Sequence, residues 1–179
     1  MSFYDVVMTS NTSAVYVGDK SNFSIKNSTI EAKFFGISTN ASNPNQNPTI
    51  NVDNCTIIGS DPILVNIPCS LTVKASNLNG TMHGAVVRGG TATFTNCQIS
   101  LNYPDDNANE MANYFVSRDW GQGNEVNLAA MTIGNKTSTI GNKTSTAYQY
   151  PTNVSLVNTK VKVEGKYASY FPALYAYAN

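Results

Sequence analysis

Charge is scarce in this chain. Eleven basic and eleven acidic residues are spread over 179, so charged residues make up 12% and cancel to a net charge of zero. No basic face for nucleic acid is implied, and no polybasic run for a membrane surface. Long apolar runs are absent too, which excludes a membrane-spanning helix. Met1–Ser10 has no charged start followed by an apolar core, so it does not read as a signal peptide. There is one histidine, one tryptophan, three cysteines and two arginines, Arg88 and Arg118. A catalytic triad or a zinc site would have to use His83, and the cysteines lack metal-type spacing. No metal and no cofactor is expected.

With 41% hydrophobic residues and so little charge, the polar surface must come from Asn, Ser, Thr and Gly; Asn alone occurs 24 times. That composition is poor for helices. It suits strands broken by tight turns, because Asn tolerates the left-handed backbone region. An eight-residue pattern then recurs. It runs apolar, polar, apolar, polar, Asn, small, polar, aliphatic, and is clearest in Ala92–Ile99. The same pattern opens at Phe23, Ile50, Leu71, Val126 and Val154, with steps of 27, 21, 21, 34 and 28 residues. A shortest step of 21 with longer steps from loop insertions indicates a coil that returns to the same place each turn.

Positions one and three alternate with polar neighbours, as in a strand with one buried face. Position five breaks the alternation, and position eight points inward again. A corner at position five explains both, with Asn accepting the positive φ. Upstream of the copies lie further apolar pieces: Ala14–Val17, Phe35–Ile37, Ile63–Val65, Ala85–Val87, Tyr114–Val116, Ala147–Tyr150 and Leu174–Tyr177. Three short strands per turn, stacked in parallel, make a β-helix, and crossover chirality favours the right-handed form. The expected fold is an all-β, single-stranded right-handed parallel β-helix of six to seven coils. Its core is expected to hold Phe23, Ile25, Ile30, Ile50, Val52, Ile57, Leu71, Val73, Leu78, Phe94, Ile99, Leu128, Ile133, Leu156 and Val161. The 1–179 segment is expected to be one domain, or an excised module of a longer chain.

The chain resembles the pectate-lyase-like superfamily of right-handed β-helices, whose second corner often carries a stacked asparagine ladder. Asn27, Asn54, Asn96 and Asn158 match that corner, while Ala75 and Ala130 depart from it, so the ladder is expected to be interrupted twice, and its amides are expected to be buried and bonded to backbone groups or to one another. The resemblance covers roughly Ala14 to Val163. It implies a fold rather than an activity, since that superfamily holds lyases, hydrolases, esterases, adhesins and viral tail proteins. The enzymes of the superfamily carry carboxylates on neighbouring strands, where this chain has Val65, Asn66 and Val87. Their calcium carboxylates and paired arginines are not matched either. His83, in Thr-Met-His-Gly, is read as a turn histidine with no Asp or Cys arranged around it. Cys55 and Cys97 share one repeat position two turns apart, ~10 Å at strand spacing, too far for a disulfide. All three cysteines are expected to be small buried residues.

The remaining candidate is a surface. Tyr103, Asp105, Asp106, Glu110, Arg118, Asp119 and Trp120 lie in insertions flanking the apolar piece Tyr114–Val116, where the coil step lengthens to 34. Long loops on a rigid scaffold concentrate binding residues. Aromatic rings beside carboxylates suit a sugar, since a ring stacks on its face and the acids bind its hydroxyls. In the resembled superfamily this side of the coil holds the sugar groove. The tandem Ile-Gly-Asn-Lys-Thr-Ser-Thr of residues 133–146 is read as a duplicated loop. Before Ala14 only Phe3–Met8, a plausible strand, is available to cover the open edge, so a further β-helix segment or a subunit is expected there. The expected function is a non-enzymatic structural or binding module of a secreted, cell-surface or tail-fibre protein, with a glycan as its candidate ligand. The alternative is a divergent or truncated carbohydrate-active enzyme, a lyase or hydrolase, of the same fold.

Overall fold

The computed structural model describes residues 1–18, 20–39, 47–104, 128–134 and 150–177, and the strand backbones at 118–119, 124–126, 136–137, 139–140 and 143–144. Its body is a parallel β-helix of six coils, built from three parallel sheets of six strands each. The first sheet stacks Ser2–Tyr4, Asn22–Lys26, Thr49–Asp53, Cys69–Lys74, Gly90–Thr95 and Thr152–Val157. The second stacks Val7–Ser10, Thr29–Ala32, Thr56–Gly59, Asn77–Gly80, Gln98–Asn102 and Lys160–Glu164. The third stacks Val15–Tyr16, Phe35–Thr39, Asp61–Val65, Ala85–Val87, Met131–Ile133 and Leu174–Ala176. Among the described residues there is no α-helix, only a short 3-10 turn at Ala168–Tyr170.

The period-two pattern carries straight into packing. Phe3, Ile25, Val52, Val73, Phe94 and Leu156 share one inward column, because each pairs with its equivalent one coil away. Of the fifteen expected core residues, the eleven from Phe23 to Ile99 are buried, and so is Leu128. Ile133 and Val161 are half-buried against the core. Leu156 is 36% exposed although its register points it inward. It stands in coil six, and among the described residues no coil stacks on its far side.

Three expectations change. The N-terminal stretch is a full coil: Asp5 turns the corner between Ser2–Tyr4 and Val7–Ser10, with φ 54°. The pattern at Val126 is not a repeat copy. Met131–Ile133 pairs with Ala85–Val87 in the third sheet, and Asn124–Val126 pairs antiparallel with Arg118–Asp119. The next corner after Asn96 is Asn158, 62 residues on, because Gly90–Thr95 pairs directly with Thr152–Val157. Ala130 is therefore buried beside the third sheet and no corner residue, so the ladder breaks only at Ala75. Alternation at positions one, three and eight is too short a signature to separate a true copy from a chance one.

The third change concerns burial at the corner. Asn27, Asn54, Ala75, Asn96 and Asn158 all have φ between 47° and 55°, as expected of the corner, but their side chains are exposed. Asn54 Nδ2 donates to Asn27 Oδ1 at 3.0 Å, and Asn158 Nδ2 to Asn96 Oδ1 at 2.7 Å. The buried ladder is one residue further on, in Ser28, Cys55, Ser76 and Cys97, and it ends at the half-buried Thr159 of coil six. Ser76 Oγ accepts from the Cys55 N–H of the preceding coil at 3.0 Å and donates to the Lys74 carbonyl at 2.6 Å. Ser28 does the same with Val6 and Lys26, and Thr159 with Cys97 and Val157. Cys55 and Cys97 donate through sulfur to Asp53 and Thr95 at 3.3 Å each. The two thiols thus stand in for hydroxyls. All three cysteines are free and buried, and burial pushes their pKa values up, Cys69 to about 12.

Candidate functional site

Of the expected site residues, only Tyr103 has a described side chain. It is 4% exposed, its ring 5.9 Å from Tyr167 and 5.5 Å from Phe171, in a cluster with Met82, Leu101 and Leu128. Arg118–Asp119 is a two-residue strand, Arg118 opposite Val126 and Asp119 opposite Glu125. Asp105, Asp106, Glu110, Trp120 and the piece Tyr114–Val116 lie outside the described residues.

The structure assembles a different polar group, inside the wall of the third sheet. Asp61 opens the third-sheet strand of coil three, and His83 sits one coil later, just before Ala85–Val87. His83 Nδ1 lies 2.6 Å from Asp61 Oδ1, and Ser60 Oγ donates to Asp61 Oδ2 at 3.0 Å. The expectation of a histidine without an acid beside it is thus corrected. The signal was available: 22 residues separate Asp61 from His83, one coil in this part of the chain, but it can be read only once the coil is known.

Local backbone fixes this pair. The N–H groups of Met82 and His83 both donate to the Ser60 carbonyl, and those of Gly84 and Ala85 both donate to Ala130 of coil five. Gly80 allows the tight approach, since a Cβ there would meet the His83 carbonyl oxygen at 1.7 Å. At the other end of the same two strands, Arg88 donates from an Nη to Asn66 Oδ1 at 2.6 Å, and the Asn66 N–H donates to Thr39 Oγ1 at 3.0 Å. Arg88 is 1% exposed, and the Asp61 and His83 side chains are 0% exposed. Buried ionisable groups persist where partners satisfy them, and here the partners come from successive coils.

Chemically, a carboxylate on Nδ1 orients an imidazole as it does beside a nucleophile. The Ser60 hydroxyl, however, is spent on Asp61, and the His83 ring is closed off from solvent. The arrangement locks coil three to coil four. Outside this strand pair, Leu64 and Val86 point outward yet are 2% and 0% exposed, packed with Phe35 and Tyr177. No group of three or more metal-ligating side chains occurs among the described residues. No family model, curated protein or solved structure matches this chain.

Proposed function

We propose that this β-helix is a non-enzymatic structural and glycan-binding module of a secreted, cell-surface or tail-fibre protein, related in its right-handed fold to the pectate-lyase-like superfamily. The observation that carries the reading is the closure of the Asp61–His83 pair. The one histidine of the chain, with its carboxylate, is committed to holding two coils together at 0% side-chain exposure. A general base must come within hydrogen-bond reach of the proton it takes. The composition, rich in Asn, Ser and Thr and poor in charge, suits an extracellular scaffold. The ligand site belongs beside the insertions carrying Asp105, Asp106, Arg118, Asp119 and Trp120, which hold the only tryptophan and one of two arginines.

A glycan array on the intact protein, repeated with Trp120→Ala, tests this. Binding that falls on substitution is the expected result, and binding unchanged by it would move the site. The enzyme alternative draws on the same 2.6 Å pair. Hydrolysis or elimination products from a polysaccharide panel, lost in His83→Gln, would replace the binding reading with it.

A further inference from the structure

Three inward columns run the length of the β-helix, one in each sheet. The first runs from Phe3 to Leu156. The second runs from Met8 to Val161 and the third from Val15 to Leu174. In coils two to five every member is 1% exposed or less. At the two ends the columns are bare. Leu156 and Leu174 are 36% and 46% exposed, and Phe3, Met8, Val15 and Val161 are half-buried.

The backbone is open at the same two places. Where each coil enters the second sheet, one bond repeats at every junction. The Thr29 N–H donates to the Val6 carbonyl, Thr56 to Ser28, Asn77 to Cys55, Gln98 to Ser76 and Lys160 to Cys97. Among the described residues the series starts with no acceptor for the Val7 N–H and stops with no donor for the Thr159 carbonyl. Edge strands are commonly guarded by charge, yet Ser2–Tyr4, Val7–Ser10 and Val15–Tyr16 carry none.

We infer that the first coil of one copy of this chain docks on coil six of a second copy, head to tail, so that the β-helix continues from chain to chain. The two ends share one cross-section, since every column starts at one and finishes at the other. Each end therefore supplies the coil that the other lacks. Phe3 meets Leu156, Met8 meets Val161 and Val15 meets Leu174, and the Val7 N–H takes the Thr159 carbonyl as the next bond of the series. Lys160 and Lys162 continue the outward rows of Val7 and Thr9, so no like charges meet. Turning the second copy over would reverse the sense in which its coils circulate, and at most one sheet would then face its equivalent. A head-to-tail contact does not close on itself, so copies add into a filament one β-helix thick. The inference is independent of the glycan-binding reading and uses none of its residues.

The test is sedimentation velocity of the full chain over a concentration series. Four proteins are compared: wild type, Val7→Lys, Lys160→Glu and the two substitutions combined. Val7 is 74% exposed and Lys160 is exposed, so neither change should disturb the fold, which circular dichroism checks. The two residues stand in the first and last coils of one chain, so any coupling between them acts between copies. Wild type should form oligomers that lengthen with concentration. Val7→Lys sets like charges side by side and should weaken association about threefold at low salt. Lys160→Glu should leave association near wild type, and the double variant should restore it. Thr9→Lys, opposite Lys162, repeats the test at a second pair. Three results would each overturn the inference: wild type that stays monomeric, Val7→Lys and Thr9→Lys that associate as wild type does, or a double variant as weak as Val7→Lys alone.

Discussion

Ser76→Ala isolates what the buried hydroxyl column is worth. Ser76 is 1% exposed and Cys55 3%. The substitution removes the acceptor for the Cys55 N–H and the donor to the Lys74 carbonyl, and leaves a methyl that can serve neither. An orphaned buried N–H costs ~1–3 kcal/mol, and the lost bond to Lys74 adds ~0.5–1.5 kcal/mol. The sum is roughly 2–4 kcal/mol. At ~2–4 °C per kcal/mol for a chain of this size, the melting temperature should fall by roughly 5–15 °C. Ser76→Cys is the control. Cys55 and Cys97 flank this position in the same column, each donating to the carbonyl two residues back, so a thiol should cost no more than about 1 kcal/mol. Urea unfolding followed by circular dichroism measures both variants. If Ser76→Ala matched wild type, or Ser76→Cys fell as far as Ser76→Ala, the column would not be the corner's fastening.

Three further outcomes follow from the same geometry. Ala75, at φ 47°, interrupts the exposed ladder between Asn54 and Asn96, so Ala75→Asn should raise stability by ~1 kcal/mol and Ala75→Val should lower it, as read by thermal melts. His83→Ala strips the buried Asp61 carboxylate of its imidazole and should cost ~3–5 kcal/mol; a loss below ~1 kcal/mol in urea unfolding would show the pair is not a lock. The third concerns alkaline pH. Folding raises the Cys69 thiol from an ordinary 9.0 to about 12, which favours its protonated form. That contribution is complete below pH 9 and is lost as pH rises towards 12. Wild type should therefore lose stability more steeply than Cys69→Ala over that window, and parallel pH profiles would refute it.

Much of the fold was legible because a β-helix writes its own period into the chain. Alternation placed Phe23, Ile25, Ile50, Val52, Leu71, Val73 and Phe94 inside, and the break at position five placed the corners at Asn27, Asn54, Ala75, Asn96 and Asn158. Side-chain direction along a strand and the sign of φ at a corner are local properties, set by each residue and its immediate neighbours. The first coil was hidden because Asp5 and Met8 stand where other copies have Asn and a branched aliphatic residue. The false copy at Val126 looked genuine for the opposite reason.

Everything that depends on which coil lies beside which was set by pairing between coils. The 62-residue step from Asn96 to Asn158 is a pairing across coils, invisible to an eight-residue window. Local pattern likewise cannot tell the exposed corner amides from the buried hydroxyls one position later, because burial there comes from the neighbouring coils. The meeting of Asp61 with His83, and of Asn66 with Arg88, needs the coil length before it has any meaning. Sequence determined the direction of each side chain, because that is a matter of backbone geometry. Stacking determined its neighbours, because the inter-coil hydrogen bonds set which residues share a column.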